Sequence, residues 1–281
     1  MKRELSRHAS LVEARHGRFY VLDTDLYVGR SLRTYGEWTE AEISLLCKVL
    51  QPGDCVLDVG ANQGQYGSML RRCGYKGRIV SFEPVKASFE VLRTRAAKDP
   101  QWSVYNYALG ARAGTRLIHV SRSTVMASFL DATDYSHTQF PEGMPVTRDE
   151  KVTIHTLDEV FDRVTEGLKS PRVFLKMDTQ GYDLQVFAGA KRSLPQVRGL
   201  QTEISIQAIY EGMPDYLQSL ATYTKAGFVM SGLYPVSRDK QTLALIELDC
   251  VMRRVPQPEK KTTAGVKKKS AKPASKRPSR K

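Results

Sequence analysis

Cys55-Val56-Leu57-Asp58-Val59-Gly60-Ala61-Asn62-Gln63-Gly64-Gln65-Tyr66-Gly67 decides the fold. The first five residues form a short, largely apolar run, the pattern of a parallel strand covered on both faces. Glycines 60, 64 and 67 follow at once and open helix-like sequence that runs to Arg72. Glycine lets the chain turn sharply and lets a ligand reach the main chain, and the first amides of the helix supply donors. The spacing is G-x-x-x-G-x-x-G. It is not the G-x-G-x-x-G of dinucleotide folds, and no G-K-[ST] follows to hold a triphosphate. A cofactor without a pyrophosphate suits it better. Asp58 stands just before the turn, where a carboxylate can accept from a cofactor ammonium.

Outward from this turn, β-rich runs alternate with helical ones. Residues 77–82 form a second strand ending in Glu83-Pro84, 86–97 a helix, and 103–107 a third strand. Residues 172–177 and 200–205 form the fourth and fifth strands, followed by helices over 183–194 and 214–226. Residues 227–230 and 242–248 close the chain as an antiparallel pair. Between the third and fourth strands, strand-like pieces at 115–120 and 151–155 flank a long polar loop with Asp131, Asp134, His137 and Pro141. A helix over 156–164 follows. Upstream, a helix over 37–50 carries Ile43, Leu46, Cys47 and Leu50 on one face. Residues 1–35 contain charged helical-looking stretches and an alternating piece at 19–22. The pattern predicts a doubly wound α/β fold with a mostly parallel sheet. It divides into a cap or lid over 1–50, one domain over 51–254 and a basic tail over 255–281.

Composition sets outer bounds. The 281 residues suffice for one α/β domain. Cys47, Cys55, Cys73 and Cys250 match no zinc or disulfide pattern, which suits small core residues in a reducing compartment. No run reaches the roughly 18 apolar residues of a membrane helix, and the N-terminus does not read as a signal peptide. A cytoplasmic protein is expected. The net charge is +13, but residues 260–281 carry ten Lys or Arg and no acid, so +10 sits there and +3 on the remainder. That composition predicts a disordered tail able to bind polyanions nonspecifically, with strong salt dependence.

Three segments together resemble the FkbM family of methyltransferases. They are Asp58-Val59-Gly60-Ala61-Asn62-Gln63-Gly64, then Phe82-Glu83-Pro84, then Lys176-Met177-Asp178-Thr179-Gln180-Gly181-Tyr182-Asp183. The likeness extends through Gly189-Ala190 and Gln201-Thr202-Glu203 and covers most of residues 50–205. Tyr35-Gly36-Glu37-Trp38 and residues 233–250 resemble a bacterial branch of the family. The resemblance implies a class I methyltransferase moving a methyl from S-adenosylmethionine, usually to an oxygen of a sugar or natural-product scaffold. It implies that Asp58, Gly60, Asn62 and Gly64 line the methionine side of the cofactor and that Glu83 holds the ribose. Asn106 and Ser128 would lie near the adenine and its loop. Many family members have Asp-x-Glu-Gly where this chain has Asp178-Thr179-Gln180-Gly181, so no mechanism can assign a charge to position 180.

The acceptor's proton needs a base, because a hydroxyl is a poor nucleophile until its proton can leave. Asp178 ends the fourth strand, where open α/β sheets place chemistry. Lys176 lies two residues earlier on the same strand face and can pair with it or steady an alkoxide. Glu203 ends the fifth strand at the same rim, and Tyr210-Glu211-Gly212 follows it as a loop that can close over substrate. His137 and His155 titrate near neutrality but have no distinguishing spacing. No metal is expected: Asp131, Asp134, His137, Asp178 and Glu203 carry suitable atoms, but their spacing does not gather them. The leading partner is a hydroxyl-bearing small molecule or saccharide. Two rivals stand beside it, a nucleic-acid ribose methyltransferase using the tail and a non-catalytic binding protein that keeps the fold. A nicotinamide oxidoreductase fits the glycine spacing poorly.

Overall fold

The structure, a computed structural model, describes residues 9–14, 17–22, 33 and 40–255. The tail from 256 and the Tyr35–Trp38 motif lie outside the described residues. β1 (Ala9–Ala14) and β2 (Gly17–Leu22) pair as an antiparallel hairpin, in place of part of the helical reading of 1–35. α1 (Glu40–Val49) leads into β3 (Asp54–Val59), α2 (Gln65–Arg72), β4 (Arg78–Phe82), α3 (Lys86–Ala96) and β5 (Trp102–Tyr105). A side unit follows, made of β6 (Ala108–Leu109), β7 (Gly114–Ser121), α4 (Asp134–Gln139) and β8 (Val146–His155). The chain then returns through α5 (Leu157–Val164), β9 (Arg172–Met177), α6 (Asp183–Ala188), β10 (Val197–Ser205) and α7 (Tyr216–Lys225). It ends in β11 (Phe228–Arg238) and β12 (Leu245–Arg254).

Seven strands form the main sheet in the order β11-β12-β10-β9-β3-β4-β5. The five from β10 to β5 are parallel, and β12 is antiparallel to both its neighbours. This is the doubly wound, mostly parallel sheet that the sequence predicts. The central strand shows why its sequence looked as it did: all six residues of β3 are buried. Cys55, Leu57 and Val59 pack on one face with Leu157, Val186 and Tyr223 of α5, α6 and α7. Val56 points the other way, to Leu46, Leu70 and Leu92 of α1, α2 and α3. Full burial of a side chain of this kind contributes roughly 1.5–3 kcal/mol.

Three readings change. Cys47 is exposed, while Leu46 and Leu50 enter the core with β3, so this core crosses the boundary expected at residue 50. The polar loop of the side unit holds α4, started by Thr133, whose hydroxyl accepts from the Ser136 amide at 3.1 Å. α6 stops at Ala188 with Gly189 as its C-cap, and Gly189 lies directly on the Gly110 carbonyl, where a Cβ would come within 2.1 Å of the oxygen.

Register carries one more consequence. Ser81, Asp58, Lys176 and Gln201 are cross-strand neighbours on β4, β3, β9 and β10. A row of polar side chains therefore crosses the sheet near the strands' carboxyl ends.

Candidate active site

The carboxyl ends of β3, β4 and β9 open into one cavity, and Gln201 of β10 and Asp249 of β12 extend its wall. Its floor is the turn after β3. Gly60 (φ +77°), Asn62 (φ +46°) and Gly64 (φ +84°) all take left-handed backbone there. A Cβ on Gly60 would lie 1.9 Å from the Asp178 carbonyl oxygen, so the turn admits only glycine at this point. The amides of Gly60 and Ala61 donate to the Phe82 carbonyl at 3.0 and 3.1 Å, which locks the turn to the end of β4. The side unit supplies an apolar roof through Ile118, Ala127 and Phe129. The Asn62 amide meets the Thr124 hydroxyl at 3.2 Å and joins floor to roof.

Glu83 is buried at the end of β4. One carboxylate oxygen accepts from the Asn62 amide and the other from the Val85 amide, each at 2.8 Å. Burial pushes its carboxyl up to about 7, although the two amides favour the charged form. Asn106 does not reach the cavity wall. Its side chain donates to the carbonyls of Glu83 and Pro84 at 2.9 and 3.0 Å and so braces the strand end.

Asp58 departs from its expected role. It is fully buried behind the cavity wall, with Lys176 Nζ at 3.1 Å from Oδ1 and the Ser81 hydroxyl donating to Oδ2 at 3.0 Å. Trp102 in turn donates to Ser81 at 3.0 Å. The carboxylate is thus committed to an internal ion pair and does not present itself to a ligand. Lys176 also lies 3.4 Å from both Asp178 Oδ2 and the Gly60 carbonyl oxygen. Burial works against its charge, but Asp58 and Asp178 outweigh it and hold the ammonium above lysine's ordinary value.

Asp178 reaches the cavity, and Gln180 follows it in left-handed backbone (φ +52°). Gln180 Nε2 donates to Asp178 Oδ1 at 3.2 Å and to Glu203 Oε2 at 3.0 Å. Glu203 therefore stands behind Gln180 and not on the cavity wall; burial, Glu247 and Asp178 push its carboxyl well up. Ser128 also lies behind the wall. Its hydroxyl donates to the Gln180 carbonyl at 2.7 Å and accepts from the Leu130 amide at 3.0 Å. Of the ten candidates, Gly60, Asn62, Glu83, Lys176 and Asp178 line the cavity, while Asp58, Gly64, Asn106, Ser128 and Glu203 support it.

Glu42, Tyr66, Gln201 and Asp249 also line this wall, and the sequence reading gave none of them a role there. Tyr66 donates to Gln201 Oε1 at 2.9 Å, and Gln201 Nε2 donates to Glu42. Burial first and Asp249 second push Glu42 up to about 9; burial first and Asp178 second push Asp249 up to about 7. A signal for Glu42 was present: it is one helical turn before Leu46, an acid on the apolar stripe. The histidines play no part in this wall. His137 is exposed on α4, and His155 packs edge-on against Tyr107 and lies 3.6 Å from Glu159. Tyr210 is buried, and the Glu211 amide donates to the Asp131 carbonyl at 2.8 Å, clipping that loop to the side unit. Among the described residues no group of three or more His, Cys, Asp or Glu is placed to hold a metal ion, and no helix is long and apolar enough to cross a membrane.

Comparison with known proteins adds a family. The model of the methyltransferase FkbM domain matches residues 58–230. The 2-O-methyltransferase NoeI of Sinorhizobium fredii (strain NBRC 101917 / NGR234) is 27% identical over 175 residues, covering 60% of this chain and 70% of that protein. Among solved structures, a methyltransferase FkbM from Methylobacillus flagellatus KT is 14% identical with a TM-score of 0.44, over 88% of this chain and 57% of that one. The chain therefore spans little more than half of that protein. Magnesium protoporphyrin IX methyltransferase from Synechocystis PCC 6803 is 11% identical with a TM-score of 0.45, over 82% of this chain and 85% of that one. Likeness at these scores carries no information on substrate or cofactor.

Proposed function

The chain belongs to the FkbM family of methyltransferases, and from that membership we propose that it moves a methyl group from S-adenosylmethionine to a hydroxyl oxygen of a saccharide or other small molecule in the bacterial cytoplasm. The observation that carries this reading is one cavity with Glu83 at the end of β4 and Asp178 at the end of β9. The lining suits the cofactor: the glycine turn packs directly on the end of β9 and so brings its backbone to the cavity beside Asp178, and a carboxylate stands where ribose hydroxyls can donate to it. Bound there, S-adenosylmethionine supplies an electrophilic methyl on a sulfonium. In this reading Glu83 accepts from the ribose, and the turn from Gly60 to Asn62 lines the methionine side. Asp178 takes the proton of the acceptor hydroxyl on a carboxylate oxygen. Lys176 stays protonated, so it is a clamp between Asp58, the Gly60 carbonyl and Asp178 and not a base. The roof of Ile118, Ala127 and Phe129 keeps water from the methyl. An oxygen acceptor is supported by the relative that is itself a 2-O-methyltransferase.

The test begins with calorimetric titration by S-adenosylhomocysteine. Saturable one-to-one binding is expected, and its absence in folded protein overturns the proposal. Transfer of isotope-labelled methyl from S-adenosylmethionine to a panel of hydroxylated saccharides then follows. Asp178→Asn should lower kcat by about 10²–10⁴-fold while leaving S-adenosylhomocysteine affinity nearly unchanged.

A further inference from the structure

We infer that Gln180 is the positioning residue of Asp178, and that the site requires its amide and not merely its bulk. The inference rests on the reading of Asp178 as the proton acceptor. Non-glycine residues seldom adopt positive φ, yet Gln180 does so at φ +52°, held by the Ser128 hydroxyl on its carbonyl. That backbone aims the side chain at three partners on three segments. Oε1 accepts from the Tyr210 hydroxyl at 2.8 Å, while Nε2 gives its hydrogens to Asp178 Oδ1 and Glu203 Oε2. The orientation of the amide is determined: reversing it would point Oε1 at two carboxyl groups.

The consequence for Asp178 is specific. Oδ1 receives Gln180, and Oδ2 faces the Lys176 ammonium at 3.4 Å. Each oxygen is thus oriented by one donor from the protein and keeps lone-pair capacity for a hydroxyl proton. Gln180 also stands as a neutral double donor between two acids that would otherwise face each other. A glutamate of the same shape can donate only when protonated, and then only once. A methionine can donate at no pH.

The test reads Asp178 directly and needs no acceptor. Asp178 is followed by carboxyl-carbon NMR in full-length protein saturated with S-adenosylhomocysteine, its resonance assigned by its loss in Asp178→Asn. In Gln180→Met the Asp178 midpoint should rise by about one pH unit, because a donor to the charged form is gone. In Gln180→Glu the midpoint should rise as well, and two carboxyl groups should titrate together. Other groups share this environment: Lys176 on β9, Asp183 on α6, Glu203 on β10, Tyr210 after β10, Glu247 and Asp249 on β12, and Glu42 on α1. They are common to wild type and variants, so the readout is the difference between titrations. A midpoint in folded Gln180→Met within about 0.3 unit of wild type overturns the inference. A loss of more than about tenfold in S-adenosylhomocysteine affinity would also overturn it, by assigning Gln180 to the cofactor. Failure of wild-type protein to bind S-adenosylhomocysteine would instead sink the proposed function. The same titrations with the ligand omitted would then still decide whether Gln180 sets the midpoint of Asp178.

Discussion

Gly60 is the residue on which the floor of the cavity turns. Its φ of +77° and the 1.9 Å approach to the Asp178 carbonyl leave no room for a methyl group. Gly60→Ala should destabilise the fold by at least about 2 kcal/mol in urea unfolding, combining the left-handed penalty with forced displacement of β9. It should also abolish calorimetric binding of S-adenosylhomocysteine. Glu83 gives a pH signature. Its carboxyl, raised to about 7 by burial, must ionise to accept from two hydroxyls, so affinity for S-adenosylhomocysteine should rise with pH. Between pH 8 and pH 6 affinity should fall about tenfold, and Glu83→Gln should flatten the dependence, as calorimetry at several pH values will read. Gly60 and Asn62 were legible as turn residues because a tight turn imposes its demands on consecutive residues, and Glu83 stood out as an acid between an apolar strand and a proline. The fate of Asp58 was not, because its partner Lys176 lies on another strand and only sheet register brings them together.

At the scale of elements, strand positions were legible and helix ends less so. β3 and β9 could be read from apolar runs that end in turn residues, since burial on both faces of a parallel sheet writes itself into composition. α5, expected over 156–164, begins with a reciprocal cap. Thr156 accepts from the Glu159 amide at 3.1 Å and Glu159 returns the contact to the Thr156 amide at 3.0 Å, a reciprocal pair that satisfies two orphan donors. Thr156→Ala should cost about 1 kcal/mol in urea unfolding without changing the m-value or S-adenosylhomocysteine affinity. By contrast α6 ends early at Gly189, a local stop signal that the longer helical reading overrode, and the contact of Gly189 with the Gly110 carbonyl is tertiary. The acids Glu42 and Asp249 reached the wall from α1 and β12, elements at opposite ends of the sequence, and only the packed sheet makes them neighbours.

For the whole molecule, charge and fold separate along the chain. The family match ends at residue 230 and β12 ends at Arg254, while ten of the basic residues lie from 260 onward. A chain ending at Val255 should bind S-adenosylhomocysteine within about twofold of the intact chain and elute from heparin at distinctly lower salt. Loss of cofactor binding on that truncation would place part of the cofactor domain beyond Val255. The union of Asn62 with Thr124 bears on the pace of the whole molecule. A neutral hydrogen bond has a net worth of about 0.5–1.5 kcal/mol, so this contact alone would favour a closed roof only about 2- to 12-fold, and the Ser128 hydroxyl on the Gln180 carbonyl is a second tie across the same cavity. With S-adenosylmethionine bound as proposed, exchange of the spent cofactor would require both ties to loosen, a local motion of the segment from Thr124 to Ser128.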